Sequence, residues 1–263
     1  MMKQKILFLD IDGTILLPDD SIQDSTKEAI KQVKEKGIEV FLATGRPLHE
    51  IMDIGEELRI QSFIGYNGAY AIHQGQDVFS EPMDSKMIQF FIDTAEENDH
   101  ELIMYTNSKN VYTGMDSANT KTFIEHFHLK HNVHYESMYI ADILGVTVIN
   151  LGVNDVDLYE QYSGIHLSPV NIDGFRDHAF DVIQEKVNKG FAVQTILDLL
   201  KFNKEEAIAF GDGINDKEML QLVGESFAMG NAHPDLFTYA KHKTTAVTDS
   251  GIYNGLKSLG LLE

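Results

Sequence analysis

The chain of 263 residues contains no cysteine. Disulfides, thiolate metal ligands and cysteine nucleophiles are therefore excluded, and nothing points to an oxidising compartment. Positive charge is also scarce. Against 41 Asp and Glu stand only 21 Lys and Arg, for a formal net charge of −20 at pH 7. A nucleic-acid or anionic-membrane surface needs a basic face, so neither partner is expected. Long apolar runs are missing as well. The first residues, Met1 through Lys5, lead straight into a short apolar stretch, so no signal peptide or membrane span is expected and the reading is a cytoplasmic protein. Internal repeats and low-complexity tracts are lacking. What is left, 43% apolar and 24% charged residues, is the composition of a soluble globular chain, long enough for one large domain or two small ones.

The most informative stretch is Ile6-Leu7-Phe8-Leu9-Asp10-Ile11-Asp12-Gly13-Thr14. Its apolar half reads as a strand buried on both faces. If strand geometry persists to Asp12, the two carboxylates share one face at the strand's C-terminal end, and Gly13 turns the chain away through a positive φ. Paired carboxylates repel unless a cation lies between them, and Mg²⁺ suits carboxylate oxygens. An Asp beside Mg²⁺ is able to attack phosphorus. Asp-Gly is equally a common turn dipeptide, so the stretch alone leaves both readings open.

The chain that follows favours the first reading. Residues 24–36 read as a helix capped by Asp24 or Ser25 and stopped by Gly37. Residues 38–43 (IEVFLA) form the next strand, ending in Thr44-Gly45-Arg46, and Pro47 suits the first turn of a helix to about Arg59. A third strand, 63–66, ends in Tyr66-Asn67-Gly68, and 69–80 reads as a hairpin. This alternation predicts an α/β fold with a Rossmann-like, doubly wound parallel sheet. From Met83 the rhythm changes to helices over 85–98 and 119–130, strands over 101–105, 111–113 and 146–153, a short helix to Tyr162, and strands over 165–169 and 179–184. The expected organisation is a core of residues 1–82 plus 187–263, with an inserted α+β cap domain over 83–186. Near Val187 the core pattern resumes, with a helix opening at Asn188-Lys189-Gly190. A strand over 207–210 (AIAF) then ends in Gly211-Asp212-Gly213-Ile214-Asn215-Asp216, and a last short strand covers 226–229.

Asp10 and Asp12, Thr44, Lys189, and Asp212, Asn215 and Asp216 thus all fall at strand ends or a helix start. A parallel sheet brings its C-terminal strand ends to one edge, so these groups can converge. Carboxylates from two strand ends make an oxygen-rich Mg²⁺ site, while a hydroxyl, an ammonium and backbone N–H groups suit phosphate oxygens. That inventory matches what phosphoryl transfer needs, positioning and charge neutralisation.

The chain resembles the haloacid dehalogenase-like (HAD) phosphohydrolases, specifically the Cof-type subfamily with a large α/β cap (type IIB). Asp10-Ile11-Asp12-Gly13-Thr14, Thr44-Gly45-Arg46, Lys189 and Gly211-Asp212-Gly213-Ile214-Asn215-Asp216 match its four motifs in order. Tyr66-Asn67-Gly68-Ala69 and Ala228-Met229-Gly230-Asn231-Ala232 also look like that subfamily. The resemblance implies a Mg²⁺-dependent phosphatase acting on a small phosphorylated metabolite, a sugar phosphate or cofactor phosphate, through an aspartyl-phosphate. By the same resemblance Asp10 is the nucleophile and Asp12 the general acid and then base. Asp10, Asp212 and the backbone carbonyl of Asp12 are metal ligands. Thr44, Gly45, Lys189 and Asn215 bind the phosphoryl group, Asp216 plays a supporting part, and Arg46 helps with substrate. A phosphotransferase or phosphomutase using the same aspartyl-phosphate is the alternative, and a non-catalytic phospholigand-binding protein the third reading. Specificity is expected in the insert, with hinges near 81–83 and 186–187. His126, His128, His131 and His134 crowd one part of the insert without a fixed ligand spacing and read as a solvated surface rather than a second metal site.

Overall fold

A computed structural model describes residues 4–152, 154–170 and 174–263. In chain order it has β1 (Ile6–Leu9), α1 (Asp24–Glu35), β2 (Glu39–Ala43), α2 (Met52–Leu58), β3 (Phe63–Gly65), β4 (Tyr70–His73) and β5 (Gln76–Ser80). Then come α3 (Ser85–Glu97), β6 (Glu101–Tyr105), β7 (Asn110–Tyr112), α4 (Ala118–Phe127), β8 (Asn132–His134), β9 (Gly145–Ile149), α5 (Val156–Glu160), β10 (Ile165–Pro169) and β11 (Ala179–Gln184). The chain closes with α6 (Lys189–Leu200), β12 (Ala207–Gly211), α7 (Lys217–Leu222), β13 (Glu225–Ala228), β14 (His242–Lys243) and α8 (Gly251–Ser258). No helix among the described residues is long and apolar enough to cross a membrane. Two compact units result, one of Met1–Arg46, Met52–Phe79 and Asn188–Glu263, the other of Pro47–Ile51 and Ser80–Val187.

The first unit carries an eight-stranded sheet in the order β14-β13-β12-β1-β2-β3-β4-β5, parallel from β14 to β3, with β4 turning antiparallel to β3. All four residues of β1 are wholly buried, because helices cover both faces of the sheet. Phe8, Phe41 and Ala209 pack with Ala192, Ile196, Met219 and Leu220 of α6 and α7. On the opposite face Gly255 of α8 lies against the ring of Phe210. The chain leaves β1 for β2 on one side and returns to β12 on the other, so the strand order reverses at β1. In open α/β sheets ligands bind at such a switch point, beyond the C-terminal strand ends.

The second unit is a six-stranded sheet, β10-β11-β9-β6-β7-β8, antiparallel except for the β7 and β8 pair. Each face has its own apolar cluster. Met87, Phe91, Leu102 and Val148 belong to one, and Ile103, Tyr112, Phe123 and Ile149 to the other.

Several local expectations change. The cap of α1 is Gln23, not Asp24 or Ser25, and Gln23 uses its amide elsewhere, on the Thr248 carbonyl and the Ser250 N–H. The helix expected after Pro47 splits into a single tight turn, Leu48–Glu50, and the short α2. The strand expected over 146–153 stops at Ile149, because Asn150 takes φ 71°, a conformation Asn tolerates; Val153 lies outside the described residues, as do Met1 to Lys3. Strand β8 was not anticipated. Its polar sequence has no apolar alternation, and it forms by pairing in register with β7.

Candidate active site

Asp10 follows β1 directly, and its N–H donates to the Phe210 carbonyl of β12 at 3.1 Å. The residue is buried, 5% exposed. Lys189 is the first residue of α6, behind Asn188, whose side chain accepts from the Phe191 N–H. Its ammonium is fully buried, 2.5 Å from Asp10 Oδ1 and 2.6 Å from Asp216 Oδ1. The second oxygen of Asp216 accepts from the N–H groups of Asp212 and Gly213, each at 3.0 Å. Both Asp216 oxygens are thereby committed, which makes it the strut that fixes Lys189 and the loop after β12.

Asp212 completes the cluster. One of its oxygens accepts from the Thr14 hydroxyl at 3.2 Å and the other from Asn231 Nδ2 at 3.3 Å. Asn231 also donates to the Gly13 carbonyl, while its Oδ1 accepts from the Val247 N–H. Gly13 does take the expected positive φ, +77°, and a Cβ there would lie 2.2 Å from Asp212 Oδ2. The turn after β1 therefore touches the turn after β12, and only a glycine leaves room.

Oxygen atoms of Asp10, Asp212 and Asp216 lie within 4.8 Å of one another. The donor set is all carboxylate and hard, which fits Mg²⁺. Asp10 and Asp212 could ligate such an ion directly, whereas Asp216 is spent on Lys189 and two amides. The charges agree with this. Burial pushes the Asp10 carboxyl well up, helped by Asp216 and Asp212, against the Lys189 ammonium. Asp212 is raised to about 6 by burial and by Asp216. For Lys189, burial works downward, but Asp10 and Asp216 outweigh it and the net shift is upward. Carboxylates outnumber the one ammonium, and a divalent cation would offset the excess.

In the metal-free protein, a divalent cation held there would bind the ionised carboxylates and would have to displace protons held by groups with raised pKa, so Mg²⁺ affinity should fall as pH drops through about 6. Titration calorimetry at pH 7.5, 6.5 and 5.5 should show weakening toward acid, with protons released on binding. Constant affinity across that range would exclude Asp212 as a ligand.

Asp12 does not join the cluster through its carboxylate. Strand geometry ends at Leu9, so the expected shared face is lost, and the Asp12 side chain is 51% exposed. It pairs with Arg46, whose Nε donates to Oδ2 at 3.0 Å and whose Nη2 donates to Oδ1. Thr44, buried at the end of β2, accepts the Arg46 N–H on its hydroxyl at 3.0 Å. Gly45 lies against the side chain of Asn67. Asn67 links these elements: its N–H donates to the Thr44 carbonyl, and its Oδ1 accepts from Asn215 Nδ2 at 3.0 Å. The sequence supplied Asn67, Thr14 and Asn231 as parts of motifs, but not their partners. The Asn67-Gly68 dipeptide was the one local signal, and both residues have positive φ.

In the insert, His126 packs edge-on against Phe127 and Phe175, His128 takes a left-handed conformation after α4, and His131 lies edge-on to His49.

The family model for haloacid dehalogenase-like hydrolase matches residues 7–256. YkrA of Bacillus subtilis (strain 168) is 29% identical over 266 residues, covering 100% of both chains. From the same organism, 5-amino-6-(5-phospho-D-ribitylamino)uracil phosphatase YitU is 26% identical over 271 residues, 97% of each chain. A crystal structure of a protein from Geobacillus kaustophilus HTA426 superposes with a TM-score of 0.89 at 28% identity, over 98% of this chain and 100% of that one. With its four motifs brought to one sheet edge and a family match running from β1 into α8, the chain belongs to the haloacid dehalogenase-like hydrolases.

Proposed function

We propose that this hydrolase is a Mg²⁺-dependent cytoplasmic phosphatase that cleaves a small phosphorylated metabolite, a sugar phosphate or cofactor phosphate, through an aspartyl-phosphate on Asp10. The observation that carries the reading is the buried Lys189 ammonium shared by Asp10 and Asp216, with Asp212 closing a carboxylate cluster beside them. Such a site combines a fixed nucleophile with positive charge for phosphate oxygens. The name of YitU, a phosphatase of a phosphorylated small molecule, supports the substrate class.

In this reading Lys189 holds Asp10 Oδ1 and leaves the other carboxylate oxygen to attack phosphorus. The Asp10 O–P bond forms as the ester P–O bond breaks, and Asp12 gives its proton to the departing oxygen. Water then attacks phosphorus, Asp12 takes the water proton, and the Asp10 O–P bond breaks to release inorganic phosphate. Asp10 and Asp212, with the Asp12 carbonyl, would hold Mg²⁺, which when bound supplies charge neutralisation for the phosphoryl oxygens. Thr44, Gly45 and Asn215, tied together by Asn67, would cradle those oxygens.

The test is a screen of phosphorylated metabolites, measuring inorganic phosphate released with Mg²⁺ and with EDTA. Release should require Mg²⁺ and stop in EDTA, and Ca²⁺, with its looser geometry, should inhibit. Full turnover in EDTA would overturn the metal's role. Conserved total ester phosphate with transfer to a second acceptor would indicate a phosphotransferase instead.

Asp12→Asn should slow both half-reactions, by about 10²–10⁴-fold on alkyl phosphates, because their poor leaving oxygen needs a proton. On p-nitrophenyl phosphate, whose leaving oxygen is acidic, the loss should be clearly smaller. Equal losses on both would argue against proton transfer by Asp12.

A further inference from the structure

Asp12 occupies an exposed turn whose backbone is fixed while its side chain has few restraints. The N–H groups of Thr14, Ile15 and Leu16 all donate to the Ile11 carbonyl, so the main chain around Asp12 is tightly wound. Among the described residues, both hydrogen bonds to the Asp12 carboxylate come from one guanidinium, that of Arg46. Beside Asp12 lies a cavity of about 310 Å³, lined by Leu16, Leu17, Pro18 and Val247 as well as by Asp12 and Asp20. An unrestrained Asp12 side chain has room to swing into it.

Arg46 is itself well anchored. Its N–H donates to the Thr44 hydroxyl, its carbonyl accepts from the Tyr66 N–H, and Asp20 stands 3.9 Å from Nη2. The guanidinium thus gives two hydrogen bonds to Asp12, with the exposed Asp20 carboxylate standing further off. A two-bond fork fixes both the rotamer and the plane of a carboxylate, which a point charge does not. It also leaves a further lone pair on each Asp12 oxygen to carry a proton.

We infer that Arg46 is a positioning residue for Asp12, holding the proton-carrying carboxylate out of the adjacent cavity, and that it does not bind the substrate. The inference rests on the phosphatase reading for its kinetic consequences, though not for its structural one. Misplacing a reacting group by about 1 Å costs roughly 10²-fold in rate. Arg46→Met should therefore lower kcat on β-glycerol phosphate by about ten- to a hundredfold, with KM within about threefold of wild type. The loss on p-nitrophenyl phosphate should be much smaller. Because Arg46 acts through Asp12, Arg46→Met should cause no further loss in the Asp12→Asn background. Arg46→Lys should restore little, since the ammonium cannot fork.

These kinetics are measured with Mg²⁺ on the full chain, after circular dichroism confirms folding. A crystal structure of Arg46→Met supplies a second readout that needs no activity, and Asp12 should be found turned into the cavity. A KM rise on both esters, with losses that add in the double variant, would make Arg46 a substrate ligand. Faster turnover of Arg46→Met, or Asp12 unmoved in its crystal structure, would equally overturn the inference. If wild type releases no phosphate from either ester, the phosphatase reading fails, and the crystal structure still decides the role of Arg46.

Discussion

Asp10→Asn is expected to abolish phosphate release, by about a thousandfold or more, without unfolding the protein. The amide cannot attack phosphorus, and it has nearly the shape of the carboxylate. Stability should hold or rise in the metal-free protein. Burial and the flanking Asp216 and Asp212 raise the Asp10 pKa, so at neutral pH its ionised form costs folding energy. The sign follows from linkage. A carboxyl whose pKa is higher folded than unfolded favours the folded state at low pH and penalises it as pH rises past the unfolded value. Asparagine removes that penalty while Lys189 keeps Asp216 as its partner. Thermal melts in EDTA at pH 5 and pH 8, beside phosphate-release assays with Mg²⁺, check both parts. The variant's advantage should be larger at pH 8. Substantial residual turnover in a clean preparation would remove Asp10 from the role of nucleophile.

Lys189→Met should do the opposite to stability. Methionine roughly matches the length of the lysine stem, so little packing is lost. The ammonium, however, is the cation between Asp10 and Asp216, and the site is fully buried. Deleting one partner of a buried ionic cluster costs about 3–5 kcal/mol, because the remaining charges are left desolvated and unpaired. The Asp10 and Asp216 carboxylates would then repel without relief, and protonation would be the available escape. The deficit relative to wild type should thus shrink as pH is lowered from 8 to 5, and Mg²⁺ should recover part of it by mass action. Denaturant melts across that range, with and without Mg²⁺, give the measurement. A deficit that does not depend on pH would mean that Lys189 stabilises by packing alone. Activity should also be lost, since both Asp10 placement and phosphate charge depend on this ammonium.

The sequence by itself determined the elements that rest on local patterns. Ile6–Leu9 and Ala207–Gly211 are short apolar runs, and a run apolar on every residue has few homes other than a strand covered on both faces. The helix opening at Asn188, the hairpin over 69–80 and the positive φ of Gly13 were legible for the same reason, since each depends on neighbours within a few residues. Because parallel strands align their C-terminal ends, the sequence also placed Asp10, Thr44, Lys189 and Asp212 at one sheet edge. Tertiary structure alone decided which side chain meets which. Lys189 and Asp10 are 179 residues apart in the chain, and Asn215 and Asn67 are 148 apart. Periodicity carries no information on pairings at such range. It could not show that Asp216 spends both oxygens as a strut, that Asp12 parts from Asp10 to meet Arg46, or that Asn67 joins Thr44 to Asn215. Strand β8 and the broken helix after Pro47 escaped for a related reason. Their local propensities are weak, and long-range contacts fixed their conformation, as Glu50 shows by accepting from the Asn110 side chain and the Lys130 N–H.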